Sequence, residues 1–360
     1  MTESLLITHA HLVVDTGYEI ADGWVAITDG TVTAVGPGSV APPAAPAGPG
    51  GTPGERPVID AGGRLVTAGL INTHHHMYQN LTRAFAPSVD GTLFEWLTTL
   101  YPVWAGLDEE SVYVSTYVAM AELLMGGCTT SMDHQYVHPR PNLIDAQVRA
   151  ARDVGFRFHA TRGSMTRSVE DGGLPPASVV QDKDAVLADS ERLVSAYHER
   201  GAGAMIQVAL APCSPFSVQK DVMIETAQLA ERLDVRLHTH LAEDHDEDDY
   251  CLETYGVRPV DYFEEVGWLT DRSWVAHCVY PDDSEIARLG AAGVGVAHCP
   301  SSNMMLAGGT AKVAEMRAAG TPSGSGATGR RRTTPRRCGS RPAPRCCSRA
   351  TARARARRRR

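Results

Sequence analysis

No apolar run in this 360-residue chain approaches the roughly 20 residues that span a bilayer, so a helical membrane anchor is excluded as its organising feature. A secretory leader is not read either. Glu3 stands beside Leu5-Leu6-Ile7 with no basic residue ahead of them, and His9 interrupts soon after. CxxC spacing is also absent. Cys128, Cys213, Cys251, Cys278 and Cys299 come one to a segment, which excludes a zinc ribbon or disulfide framework and predicts reduced, buried thiols. Together these absences predict a soluble, cytosolic protein. Acidic residues and lysine are missing from residues 321–360, which hold fourteen of the 34 basic residues, all Arg. Residues 1–320 therefore keep 20 basic against 42 acidic groups, and the formal charge of −8 hides a body at −22.

What is present is an alternation. Short β-prone runs at 5–14, 24–27 and 31–35 predict a small N-terminal sheet. Residues 36–57, dominated by Pro, Gly and Ala, read as a mobile loop, and strand character returns at 57–60 and 65–73. Helical periodicity at 109–125, 143–154, 185–197, 224–233, 259–266 and 283–292 is followed each time by a short strand, at 128–133, 156–161, 205–211, 236–241, 273–278 and 294–298. This is the beat of a parallel (β/α)8 TIM barrel. Seven strands are counted from the one ending at His74-His75-His76, and the eighth, due after a helix at 312–319, is not found. The expected organisation is a β-domain over 1–65, barrel strands one to seven over 66–320, and an Arg-rich disordered tail over 321–360.

The chemistry gathers at strand ends. In an extended His74-His75-His76 the first and third imidazoles share a face, and two neutral imidazoles so placed suit zinc or ferrous iron. A solvated histidine tract would look the same. The recurrence of His238-Thr239-His240 with Glu243, of His277 and of His298 at later strand ends decides for a shared site, because those ends meet at one barrel mouth. His238 shares a face with His240 but lies deeper, so it reads as a support for the ligands or as core. Apart from Glu243, the acidic run 243–249 reads as a solvated loop.

The runs Gly69-Leu70-Ile71-Asn72-Thr73-His74-His75-His76, Leu237-His238-Thr239-His240-Leu241-Ala242-Glu243, Ala276-His277-Cys278 and His298-Cys299-Pro300-Ser301-Ser302-Asn303-Met304 resemble the amidohydrolase superfamily. Within it they look like the branch of aminohydrolases acting on nitrogen heterocycles. Arg162-Gly163-Ser164-Met165 with Asp171-Gly172-Gly173-Leu174-Pro175-Pro176, and Leu210-Ala211-Pro212-Cys213-Ser214-Pro215-Phe216-Ser217, are most similar to its 8-oxoguanine deaminase group. The resemblance covers residues 5–320. It implies that His74, His76 and His240 hold one divalent metal ion, zinc or else iron, that Glu243 is the acid/base, and that His277 contacts the attacked centre or the activated water. Strand four has no Lys that could be carbamylated to bridge a second ion. The implied activity is hydrolytic deamination of a purine-like heterocycle of the 8-oxoguanine kind, with s-triazine aminohydrolase and guanine deaminase as alternatives. Gln79, Trp104 and Cys213 stand where a pocket wall could touch such a ring, or could simply pack. The partner is then a small heterocycle, with no membrane and with a homodimer left open for an intact parent.

The chain departs from that pattern at its end. The family ends strand eight in an Asp that is both ligand and base, and residues 321–326, Thr-Pro-Ser-Gly-Ser-Gly, supply none. The N-terminal domain likewise reads as half a β-sandwich. The composition after 320 is what a GC-rich gene yields out of frame, and back-translation read two bases on can be written as a strand ending in Asp-Gly followed by an amphipathic helix. The chain as written is therefore expected to bind metal through three histidines with little or no turnover. A rival reading makes the tail a basic arm for nucleic acid; it lacks aromatics for stacking, and its onset falls where a barrel strand is due.

Overall fold

The computed structural model describes residues 4–15, 17–44, 56–88 and 91–327. The basic-arm reading of the tail, and residues 45–55 of the loop expected at 36–57, fall outside these residues. The chain divides into two units, residues 1–69 and 70–360.

The first unit is a five-stranded sheet. β1 (Ser4–Asp15), β2 (Tyr18–Thr28) and β3 (Thr31–Pro37) pair antiparallel, while β4 (Val58–Asp60) and β5 (Leu65–Thr67) both run parallel to β1. Ala10, Leu12, Ile20, Val25 and Ala61 form its apolar cluster. Trp24 closes the far edge by donating its indole N–H to the carbonyls of Pro37 and Val40. Gly36 permits this, since a Cβ there would lie 2.5 Å from the indole. Because β5 pairs with β1, strand character at 65–73 is split: 65–67 belongs to the sheet and 70–72 begins the barrel.

The second unit is a closed parallel barrel of β6 (Leu70–Asn72), β7 (Cys128–Gln135), β8 (Arg157–Ser164), β9 (Ile206–Pro212), β10 (Leu237–Leu241), β11 (Ser273–His277), β12 (Gly295–His298) and β13 (Ser323–Ser325). Among the described residues ten α-helices accompany them: α1 (Leu93–Trp104), α2 (Glu109–Met125), α3 (Leu143–Val154), α4 (Lys183–Tyr197), α5 (Lys220–Leu233), α6 (His245–Tyr255), α7 (Pro259–Glu265), α8 (Asp283–Ala291), α9 (Pro300–Leu306) and α10 (Val313–Ala318). Apolar strand faces and helix stripes such as Met120, Leu123, Ile144 and Val148 make one continuous core.

Three expectations are corrected. The eighth strand is present: β13 pairs with β12 through Val296↔Ser323 and with β6 through Ser325↔Asn72. It was not readable because Ser-Gly-Ser carries no apolar alternation. Strand pairing uses backbone groups, and here small residues let the chain pass close; a Cβ at Gly324 would lie 2.6 Å from Thr73. Residues 321–327 are thus part of the barrel rather than of a disordered tail. Second, His74-His75-His76 is not strand; β6 ends at Asn72, and the histidines lead into a 3-10 helix at Met77–Thr82. Third, the acidic run is α6, not a solvated loop. Asp244 caps it by accepting from the amide of His245, and Asp246, Glu247 and Asp248 fall in its first turn, where the helix dipole favours negative charge.

Candidate metal centre

The barrel mouth gathers the histidines. Ring nitrogens of His74, His76, His134 and His240 all lie within 4.8 Å of one another, and every one of these side chains is buried. Their hydrogen bonds fix the tautomers. An imidazole N–H donates, so the ring nitrogen facing a carbonyl carries the proton and the other keeps its lone pair. His76 Nδ1 donates to the carbonyl of His134 at 2.8 Å, and His240 Nδ1 to that of Cys213 at 2.8 Å. Both Nε2 atoms are therefore lone pairs, yet they face each other at 3.2 Å. Two such lone pairs repel unless a cation lies against both.

His74 follows by one more step. His238 Nδ1 donates to the carbonyl of Trp274 at 2.9 Å, leaving its Nε2 to accept from His74 Nδ1 at 2.8 Å. The Nε2 of His74 is thereby bare, and it is buried without a hydrogen-bond partner. Of the two readings of His238, support or core, the hydrogen bond to His74 favours support. Three bare Nε2 atoms converging in a dry site are what a divalent ion of the zinc type requires, each backed by a partner on its other nitrogen. Burial holds His74 and His76 well below the usual histidine range and His240 at about 4, so all three are neutral at pH 7.

Glu243 and His277 stand beside the histidines and share a proton. The imidazole Nδ1 of His277 lies 2.8 Å from Asn303 Oδ1 and donates to it, so Nε2 is an acceptor, and Glu243 Oε1 is 3.3 Å away. Two acceptors at that distance need a proton between them, which is the state of a carboxyl poised to deliver or take one. Burial holds His277 at about 4, so its ring is neutral at pH 7. Backbone strain aims both groups: Ala242, His277 and Cys278 all have positive φ (49°, 70° and 47°). The two turns are joined, since the amides of Val279 and Tyr280 donate to the Ala242 carbonyl.

Two functional side chains escaped the sequence reading. His134 stands just past the strand end read at 133, and its Nδ1 is buried without a partner while Nε2 donates to the Ala211 carbonyl; a strand extended by two residues would have exposed it. Glu247 was lost in the acidic run. Its side chain is fully buried, and its oxygens accept the amides of Ala242 at 3.0 Å and Glu243 at 2.9 Å; burial raises its pKa to about 8. Glu247→Ala should leave both amides without an acceptor and destabilise the protein by about 1–3 kcal/mol for each, read from denaturant unfolding. Unchanged stability would show that water replaces the carboxyl group.

His76, Gln79, Trp96, Tyr136, Cys213, Phe216, Glu243 and His277 line the cavity over this centre. Both amide atoms of Gln79 are buried without partners. Cys213 is a neutral thiol, pushed up to about 12 by burial, with Sγ 3.8 Å from His240 Nδ1. Trp104 does not line the cavity; it sits behind, edge-on to Tyr78 and Trp96, with its indole N–H on Thr82 Oγ1 at 3.2 Å. His298 ends β12 half-buried and joins none of the metal-competent groups among the described residues. No Asp ends strand eight, as expected for this chain: Gly326 and Ala327 follow β13, their amides on the carbonyls of His298 and His74.

The neutral histidines also set an acid limit. Unfolding lets them regain a pKa near 6.5, so below that pH the unfolded chain binds protons that the folded chain refuses until about 4. Stability of the metal-free protein should be full above pH 6.5 and fall steadily toward pH 4. Urea midpoints that stay flat across that window would show that the cluster is charged when folded.

The pattern of the family described as "Amidohydrolase family" matches residues 65–330. The chain is 54% identical over 273 residues to 8-oxoguanine deaminase of Pseudomonas aeruginosa, covering 75% of this chain and 61% of that protein. It is 40% identical over 311 residues to hydroxydechloroatrazine ethylaminohydrolase of Pseudomonas sp. strain ADP, covering 85% and 64%. The chain thus spans less than two thirds of the length of these relatives. Among solved structures, a triazine hydrolase from Arthrobacter aurescens superposes with a TM-score of 0.84 at 30% identity, covering 91% of this chain and 72% of that one. An atrazine chlorohydrolase from Arthrobacter aurescens TC1, complexed with zinc, gives 0.81 at 31%, covering 90% and 72%. No described helix is long and apolar enough to cross a membrane.

Proposed function

This chain belongs to the amidohydrolase family, and on that premise we propose that its barrel mouth is the site of a metal-dependent hydrolytic deaminase acting on a purine-like heterocycle of the 8-oxoguanine kind. The observation that carries the reading is the convergence of three bare Nε2 atoms, from His74, His76 and His240, beside a carboxyl–imidazole pair that shares a proton. His74, His76 and His240 would hold a divalent ion, which would supply Lewis-acid activation of water at neutral pH. Glu243 takes a proton from the attacking water and gives it to the ring nitrogen, the proton left on the new hydroxyl then goes to the departing amine, and His277, anchored on Asn303, holds the Glu243 carboxyl in place. Gln79 offers a donor and an acceptor together, which match the amide-like edge of an oxidised purine. Trp96, Tyr136 and Phe216 supply apolar walls for a flat ring and keep water out.

The likeness to triazine hydrolases favours one second reading, an s-triazine aminohydrolase, since a hydroxylated triazine presents a similar edge to Gln79. The eighth strand brings no carboxylate, which removes one proton acceptor and makes turnover by this chain slow. The test therefore reads binding as well as chemistry. Zinc-loaded protein is mixed with 8-oxoguanine, guanine or an N-ethyl hydroxytriazine, and tryptophan fluorescence, free ammonia and free ethylamine are followed. Quenching and ammonia with the purines are expected; ethylamine from the triazine alone selects the second reading, and neither quenching nor product overturns both.

A further inference from the structure

We propose that the end of the barrel away from the metal centre carries a second site, which binds a small anion of the phosphate type. The inference depends neither on a metal nor on the deaminase reading. A pocket of about 340 Å³ opens there, at the N-terminal ends of β8 to β11. His159 and Gln207, register partners on β8 and β9, line its inner part. His159 also stacks on Trp274 of β11, ring centroids 5.3 Å apart, so its ring lies inside the barrel. Arg236 and Arg272 stand immediately before β10 and β11, and Arg200 follows α4.

What separates this pocket from a gap in packing is polar capacity left unused. Among the described residues neither the His159 ring nor the Gln207 amide forms a hydrogen bond, although both sit in the barrel wall. Arg200 and Arg272 share one carboxylate, that of Asp234, at 2.9 and 3.1 Å. Arg236 has a backbone acceptor, the Asp271 carbonyl at 3.0 Å, and no ion pair among the described residues. Arg236 and Arg272 each engage through Nη1 alone, so Nε and Nη2 of both still have hydrogens to donate. Counting Asp271 with Asp234, three guanidinium groups face two carboxylates, and the excess charge is positive. That excess selects an anion. A carboxylate has two oxygens and satisfies one guanidinium fork, whereas a phosphate group can meet the forks of Arg236 and Arg272 and still accept from the Gln207 amide. The volume lies at the lower end of that of small-molecule sites, which leaves room for a small group esterified to the phosphate.

The experiment titrates the 360-residue protein calorimetrically at fixed ionic strength with inorganic phosphate, ribose 5-phosphate and acetate, after chelator treatment and dialysis so that no bound ion can hold phosphate. The arginines of 321–360 attract anions in every variant alike, so the readout is the difference between variants. Arg236→Ala should weaken phosphate by about 10- to 100-fold, the worth of hydrogen bonds from a charged donor, and Gln207→Ala by about 3- to 10-fold. Arg140→Ala is the control, because that exposed guanidinium reaches only the neighbouring Pro139 carbonyl, and it should change nothing. Circular dichroism confirms folding, and Arg236→Lys, which keeps the charge but loses the fork, serves if the alanine variant does not fold. Ribose 5-phosphate binding at least about 10-fold more tightly than phosphate identifies a phosphate monoester as the occupant, and equal affinities identify free phosphate; either supports the site. No binding of phosphate, acetate binding as tightly as phosphate, an affinity untouched by Arg236→Ala, or one lost equally with Arg140→Ala would each overturn it. Metal content and ammonia release do not enter, so failure here leaves the deaminase reading standing.

Discussion

His240→Ala is expected to strip the centre of its metal and reduce any deaminase turnover to background. The side chain sits at the middle of the cluster: its Nε2 faces that of His76 at 3.2 Å, and it belongs both to the four-histidine group and to the group with Glu243 and His277. Its ring is held by the Cys213 carbonyl, which also accepts the His240 backbone amide at 3.1 Å, so alanine removes the ligand without unhooking the strand. Lewis-acid activation of water is worth several kcal/mol, which is on the order of 10³-fold or more in rate. Metal analysis of the purified variant is the direct check. An unchanged metal content would mean that His134, whose Nδ1 is also bare, takes over, and the ligand assignment would have to move to His74, His76 and His134.

Why the cluster was legible and its supports were not has a physical cause. Ligands must converge, and in a parallel barrel convergence happens at strand ends, so His74, His76, His240 and His277 announced themselves by position and residue type. The barrel itself was readable because helix and strand periods alternate over buried apolar faces. The groups that aim the ligands follow no such rule. Glu247 acts through a hydrogen bond to a backbone four and five residues upstream, inside a run of acids that looks solvated. Trp96 and Trp104 sit on one face of α1, and which of them meets the cavity depends on how that helix is rotated, a matter of tertiary packing. β13 is the extreme case: three small polar residues are strand only because β12 and β6 leave a backbone ladder to complete.

Glu243→Gln should leave the metal in place and remove the chemistry. The amide is isosteric, and the backbone N–H of residue 243 still donates to Glu247, so the turn and the three histidine ligands keep their geometry. What is lost is the shared proton. Glutamine at 243 would turn either its oxygen or its NH2 toward His277 Nε2, 3.3 Å away in the parent, and neither can pass a proton on to a ring nitrogen and a leaving amine. General acid–base catalysis of this kind contributes about 10²–10⁴-fold, so turnover should fall by that factor with metal content and heterocycle affinity close to those of the parent. Metal analysis, fluorescence quenching and ammonia release on the same preparation separate the three quantities. If quenching weakens in step with turnover, Glu243 binds the ring rather than moving its proton; if turnover is unaffected, the proton path runs elsewhere and the pairing with His277 is structural.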